Sequence, residues 1–114
     1  MKVQVRHQNK ILYNDILLAE TFFSRLIGLM FKEKLVGAEG LLIDPCRSIH
    51  TCFMKYSLDI VFLSNENKII KIIRHMKPWR LSWIYLSATK TLELPAGKLP
   101  TDVKEGDFLE VISV

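Results

Sequence analysis

The sequence predicts a mainly β domain, α+β at most. The expected form is a single compact β-barrel or jelly-roll-like sandwich with one or two short helices, the first near residues 22–31. Three observations predict it. Short apolar runs alternate with polar residues at period two, as half-buried strands do. Gly, Pro, Asn and Asp break these runs at short intervals. Only one stretch, "TFFSRLIGLMF", turns clearly to helical spacing. A chain of 114 residues suits one domain, taken as 1–114. With 49% hydrophobic and 25% charged residues, it can bury a core and is not a disordered tail.

Val3 and Val5 alternate with Lys2, Gln4 and Arg6 and make the first strand. His7 to Lys10 is a polar turn. Ile11 to Tyr13 reads as strand, Asn14-Asp15 as turn, and Ile16 to Leu18 as strand, giving a small antiparallel meander. Phe22, Leu26, Leu29 and Met30 then recur at helical spacing, with Thr21 available as the N-cap. Gly28 inside that helix costs about 1 kcal/mol relative to Ala, which suggests close approach of a neighbour or an early helix end.

"KEKLVGAEG" is a charged loop, and Leu41 to Ile43 is a short strand stopped by Asp44-Pro45. Ser48 to Lys55 and Leu58 to Leu63 read as strands joined around Tyr56-Ser57, and "SNENK" as a hairpin turn. Lys68 to Arg74 is a strand with Ile70 and Ile72 assigned to one face and Ile69 and Ile73 to the other, so both faces are buried. Thr91 to Leu94 is a strand ended by Pro95 and Gly97, and "DFLEVISV" closes the chain as another.

No run of about 18 apolar residues exists to span a membrane. The start "MKVQVRHQNK" lacks the apolar centre of a signal peptide, so a cytoplasmic protein with reduced Cys46 and Cys52 is expected. The net charge of +4 permits an anionic partner without requiring one.

The stretch "SIHTCFMKYSLDIVFL" carries the candidate chemistry. On a strand, His50, Cys52 and Met54 share one face, and Ile49, Thr51 and Phe53 the other. Imidazole, thiolate and thioether form a soft ligand set suited to Cu(I) or zinc, with Cys46 as a fourth donor if the chain folds back. The spacing matches no established zinc pattern, and core packing accounts for Cys52 and Met54 without a metal. A second reading makes Cys46 or Cys52 a nucleophile with His50 as base and Arg47 lowering the thiol pKa, but no third orienting group is identifiable.

Asp59 lies inside an apolar run, where an ionised carboxylate needs a partner; Lys55 and Arg25 are the candidates. Either a salt bridge pins helix to sheet, or Arg25, Asp59 and His50 cluster at a pocket mouth where Arg25 binds a small anionic ligand. Glu93, between Leu92 and Leu94, alternates as a solvent-facing residue does. The segment 68–83 mixes Lys68, Lys71, Arg74, His75, Lys77 and Arg80 with Trp79 and Trp83. Such a mixture can bind single-stranded nucleic acid, but a solvated edge strand is the better account of the lysines and no nucleic-acid motif accompanies them.

The ordered pieces "FFSRLIGLMF", "GLLI", "IHTCFMKYSLDIVFL", "KIIKI", "TLELPAG" and "KEGDFLEV" together resemble the bacterial and archaeal domain-of-unknown-function family 192, from about Ala19 to Val111. The resemblance implies a compact β-rich domain with a short helix near its start, and no agreed mechanism, substrate or cofactor. Matching positions are Arg25, Gly28, Leu29, Met30, His50, Thr51, Met54, Asp59, Phe62, Glu93, Gly97, Gly106 and Asp107. Many relatives carry an aromatic pair before the methionine, where this chain has Cys52-Phe53.

The leading reading is a non-enzymatic module that binds a small ligand or a partner near Arg25, His50, Thr51 and Asp59, with no cofactor. Its rivals are a hydrolytic or metal-assisted enzyme using His50 with a cysteine or Asp59, and weak nucleic-acid binding through 68–83. A metal at Cys46, His50, Cys52 and Met54 is the lesser alternative for the site itself.

Overall fold

The computed structural model describes residues 2–20, 38–51 and 56–113. The helix expected near 22–31 lies outside them, as do Arg25, Cys52, Met54 and Lys55. Among the described residues there is no helix, and the strands are β1 (Lys2–His7), β2 (Lys10–Ala19), β3 (Gly40–Ile43), β4 (Leu58–Leu63), β5 (Ile69–Met76), β6 (Lys90–Pro95) and β7 (Leu109–Ser113). They form one sheet in the order β5-β4-β6-β3-β2-β1-β7, antiparallel except for β2 beside β3.

The sheet curls into a half-barrel until its two ends meet at one rim. Lys68 pairs with Phe108, the Ile69 N–H donates to Asp107 O at 2.8 Å, and the Leu109 N–H donates to Asn67 O at 2.9 Å. This joins β5 to β7 and leaves little exposed edge there. Farther along β5 the free edge is covered by the 99–105 loop. Arg74 donates to the carbonyls of Leu99, Pro100 and Val103, and Glu105 accepts the Ile72 N–H at 2.9 Å.

Two apolar clusters lie on opposite faces of this sheet. The inner one gathers Val3, Val5, Tyr13, Ile16, Leu42, Val61, Leu63, Ile69, Leu92, Leu94 and Leu109. The outer one packs Ala19, Leu41, Ile43, Leu58, Ile60, Phe62 and Met76 under Ile49, Tyr85 and Ala88 from segments outside the strands. The central strands are therefore buried on both faces, which is why β4 is apolar throughout except for Asp59.

Three local expectations are corrected. Asn14-Asp15 is a bulge within the continuous strand β2, not a turn: Val3 pairs with Ile16 and Val5 with Tyr13. The N–H groups of Asn14 and Asp15 donate to Glu39 Oε1 at 2.8 and 3.2 Å, so a side chain from far along the sequence holds them. On β5, a register shift opposite Phe62 and Leu63 changes the phase of the strand. Ile69 and Ile72 face the inner cluster and Ile70 and Ile73 the outer one. Ser48 to Thr51, the described part of the expected strand 48–55, is extended chain with one bridge, His50 to Leu81.

Candidate functional site

Residues 45–51 and 77–89 are laced together as an outer layer over the sheet. The Ser82 N–H donates to Ile49 O, the Tyr85 N–H to Arg47 O, and the Thr51 N–H to Arg80 O. The Tyr85 ring packs on Phe62 of β4 with centroids 4.6 Å apart. His50 sits in this layer, half-buried, bridged to Leu81. Its Nδ1 is buried and has no hydrogen-bond partner among the described residues.

Thr51 has a different task. It is fully buried; its hydroxyl donates to Lys77 O at 2.5 Å and accepts the Arg80 N–H at 2.9 Å. Together with its backbone bonds to Trp79 and Arg80, this makes Thr51 the clasp of the 77–80 turn.

Asp59 is 1% exposed and serves three backbone donors. Its Oδ1 accepts the His75 N–H at 3.0 Å, and its Oδ2 accepts those of Gly97 and Leu99 at 3.0 and 3.1 Å. These partners, rather than a side-chain cation, are what the described residues supply. Asp59 follows the inner-facing alternation of Val61 and Leu63, whereas the His50 segment packs on the outer face through Ile49. The structure therefore does not bring Asp59 and His50 together on one face of β4. Burial and the nearby Asp59 charge push the Tyr13 phenol well above its usual range, and that hydroxyl donates to Lys98 O at 2.7 Å.

Glu93 is not the solvent-facing residue that its alternation suggests. It is 2% exposed on the outer face of β6, opposite Ile60 of β4 and Leu41 of β3. Burial, with the Glu93 charge as a second cause, raises the pKa of the Tyr56 phenol. A buried carboxylate beside a phenol is the polar feature that sequence alternation missed. The signal that could have found it is the two-faced burial of the strands flanking it.

Cys46 is a thiol whose Sγ donates to the Ser48 carbonyl at 3.0 Å. Among the described residues no group of three or more His, Cys, Asp or Glu is placed to hold a metal ion. Clefts lined by described residues lie at three places away from His50, Thr51 and Asp59. The one of about 660 Å³ between β5 and the 101–105 loop contains Arg74, already committed to three carbonyls. One of about 420 Å³ lies at Pro45, Cys46, Arg47 and Thr89. The third, about 460 Å³, is a shallow apolar surface of Ser82, Trp83, Ile84 and Leu86. It belongs to the most exposed apolar run among the described residues, whose exposure sequence reading missed because apolar residues ordinarily signal core.

The fold and this layer define a small β half-barrel domain whose outer face carries a covering layer of loop segments. The chain belongs to domain-of-unknown-function family 192, described as Uncharacterized ACR, which matches residues 3–111. It is 32% identical over 100 residues to a UPF0127 protein of Pyrococcus furiosus, covering 84% of this chain and 85% of that one. A UPF0127 protein of Thermococcus kodakarensis is 30% identical over 108 residues, covering 90% of this chain and 68% of that protein. The fold is shared with a crystal structure of a protein of unknown function from Novosphingobium aromaticivorans. The TM-score is 0.75 at 22% identity, covering 96% of this chain and 84% of that one.

Proposed function

We propose that this domain is a non-enzymatic binding module with its site centred on His50, and with Arg25 as the charged contributor. Thr51 supports that site by holding the 77–80 turn beside it, and Asp59, on the other face of β4, stands apart from it. The observation that carries the reading is the buried Nδ1 of His50, which has no hydrogen-bond partner among the described residues. A buried polar atom left unsatisfied costs about 1–3 kcal/mol, so a position that retains one has a use for it. As the Nδ1–H tautomer it would donate to an anion or a carbonyl; as the other tautomer it would accept. The commitment of Asp59 and Thr51 to backbone groups favours binding over catalysis, because neither is available to move a proton. Among the described residues no helix is long and apolar enough to cross a membrane, and a cytoplasmic location is part of this reading.

The imidazoles themselves provide the test. The chain has three, and His7 and His75 serve as internal controls. Nitrogen NMR of the uniformly labelled protein is followed while phosphate, and separately acetate, is titrated at fixed pH. A saturable shift of the His50 Nδ1 signal, without matching shifts at His7 and His75, supports the site. No shift, or equal shifts at all three rings, contradicts a small anionic ligand there.

A further inference from the structure

The segment after β5 exposes more apolar surface than any other described stretch: Trp79 and Ile84 are each 59% exposed, Leu81 and Trp83 79%, and Leu86 78%. Contiguous exposure of this kind marks an interaction surface rather than ordinary surface scatter. The tips are presented by a fixed base. Thr51 clasps the turn at Lys77 and Arg80, Ser82 and Tyr85 bond to Ile49 and Arg47, and the Tyr85 ring packs on Phe62.

Along the sequence, the charge flanking these tips has one sign. No Asp or Glu occurs between Glu66 and Glu93, while that stretch carries Lys68, Lys71, Arg74, Lys77, Arg80 and Lys90. Lys77 and Arg80 are both exposed and lie among the apolar tips in the sequence. Arg74 is bound to loop carbonyls, which leaves Lys77 and Arg80 as the cations nearest the tips in the chain. Tryptophans amid leucine and isoleucine, flanked by cations without acids, suit the interface of a bilayer with anionic headgroups. There the rings lie at headgroup level and the cations meet phosphate.

We propose that the Trp79–Leu86 segment docks this domain on the surface of an anionic lipid bilayer. Trp79, Leu81, Trp83 and Leu86 enter the headgroup layer, and Lys77 and Arg80 contact the lipid phosphates. The association is peripheral and reversible, since the apolar area is a few side chains and not a membrane span. It goes beyond the His50 reading and shares with it only the Thr51 clasp that holds the turn.

Both tryptophans of the chain lie in this segment, so tryptophan emission excited at the red edge, where tyrosine does not absorb, reports on it alone. The whole protein is titrated with vesicles of phosphatidylglycerol and phosphatidylcholine in equal parts, and with phosphatidylcholine vesicles. The expected result is a blue shift and protection from acrylamide on the anionic vesicles, with binding about tenfold or more weaker on the neutral ones and weakened by salt. Leu81→Ser with Leu86→Ser removes binding to both, and Lys77→Glu with Arg80→Glu removes the anionic preference, each with an unchanged far-ultraviolet circular dichroism spectrum. Several results overturn the proposal. One is emission unchanged by either vesicle, and another is a double leucine variant that binds as the parent does. A third is emission already blue and quencher-protected in the protein alone, which means the surface is covered. A fourth is the same shift from soluble glycerol phosphate, which means a small-anion site. The last is a leucine-dependent dimer that binds no vesicle, which means the face meets a second copy.

Discussion

Asp59 Oδ1 accepts the backbone N–H of His75 at 3.0 Å across a bulge in which Arg74 and His75 oppose that single residue of β4. His75 has a φ of 54°, a conformation that a non-glycine residue holds only when its surroundings enforce it. The carboxylate supplies part of that enforcement. Through Oδ2 it also fixes Gly97, where φ is 88° and a glycine is needed, and Leu99. One buried side chain thus ties β5, β4 and the turn after β6.

Replacing Asp59 with Ala or Leu strands three backbone donors near the core. The expected loss is about 3 kcal/mol or more, since bonds to a charged acceptor each contribute about 1.5–3 kcal/mol and partial relaxation recovers some of it. Urea unfolding measures it. Asp59→Asn, which keeps one acceptor oxygen, should fall between the parent and Asp59→Ala.

Thr51→Val preserves shape and deletes the hydroxyl that serves Lys77 O and the Arg80 N–H. The expected cost is about 1–2 kcal/mol. Hydrogen exchange locates it: protection of the Arg80 amide should drop while that of β4 and β6 amides stays nearly unchanged.

Gly40 is needed for close approach. A Cβ there would stand 2.6 Å from both the Glu93 carbonyl oxygen and Leu94 Cδ2. One of these is backbone of the neighbouring central region and cannot swing away. Gly40→Ala should cost about 1–3 kcal/mol, read as a fall in the thermal midpoint.

Asp107 gives the pH dependence. Its carboxylate accepts the Lys104 N–H at 3.0 Å and bonds the buried His7 ring at 2.9 Å, and these hold its pKa below the usual carboxylate value of 3.8. A lowered folded-state pKa means the contribution is complete above that value and is lost as pH falls through the folded-state value. Thermal midpoints of the parent and Asp107→Asn should therefore differ most above about pH 4 and converge in stronger acid.

Much of the sheet was legible because the strands announce themselves by period and by the turns that bound them. The misreadings arise where pairing or burial is decided by chain distant in sequence or by a bulge. Asn14-Asp15 looks like a turn because nothing local says that Glu39 will hold its N–H groups. Glu93 looks solvent-facing because alternation is read as one buried face, and β6 is buried on both. Asp59 was legible as a costly carboxylate in need of partners. Its partners were not, because two of its three donors are backbone groups in the loop after β6 and the third lies at a bulge of β5. At the candidate site, His50 was legible as a polar residue without a local reason, but its separation from Asp59 depends on which face of β4 each occupies.

The unfolding free energy of His50→Leu, measured beside Asp59→Leu, tests most directly whether His50 is kept for binding rather than for the fold. Leucine removes a buried nitrogen with no hydrogen-bond partner among the described residues. The variant should be as stable as the parent or more so, by up to about 1–3 kcal/mol, while Asp59→Leu is strongly destabilised. A loss of stability in His50→Leu comparable to that of Asp59→Leu would contradict it and make His50 a structural residue.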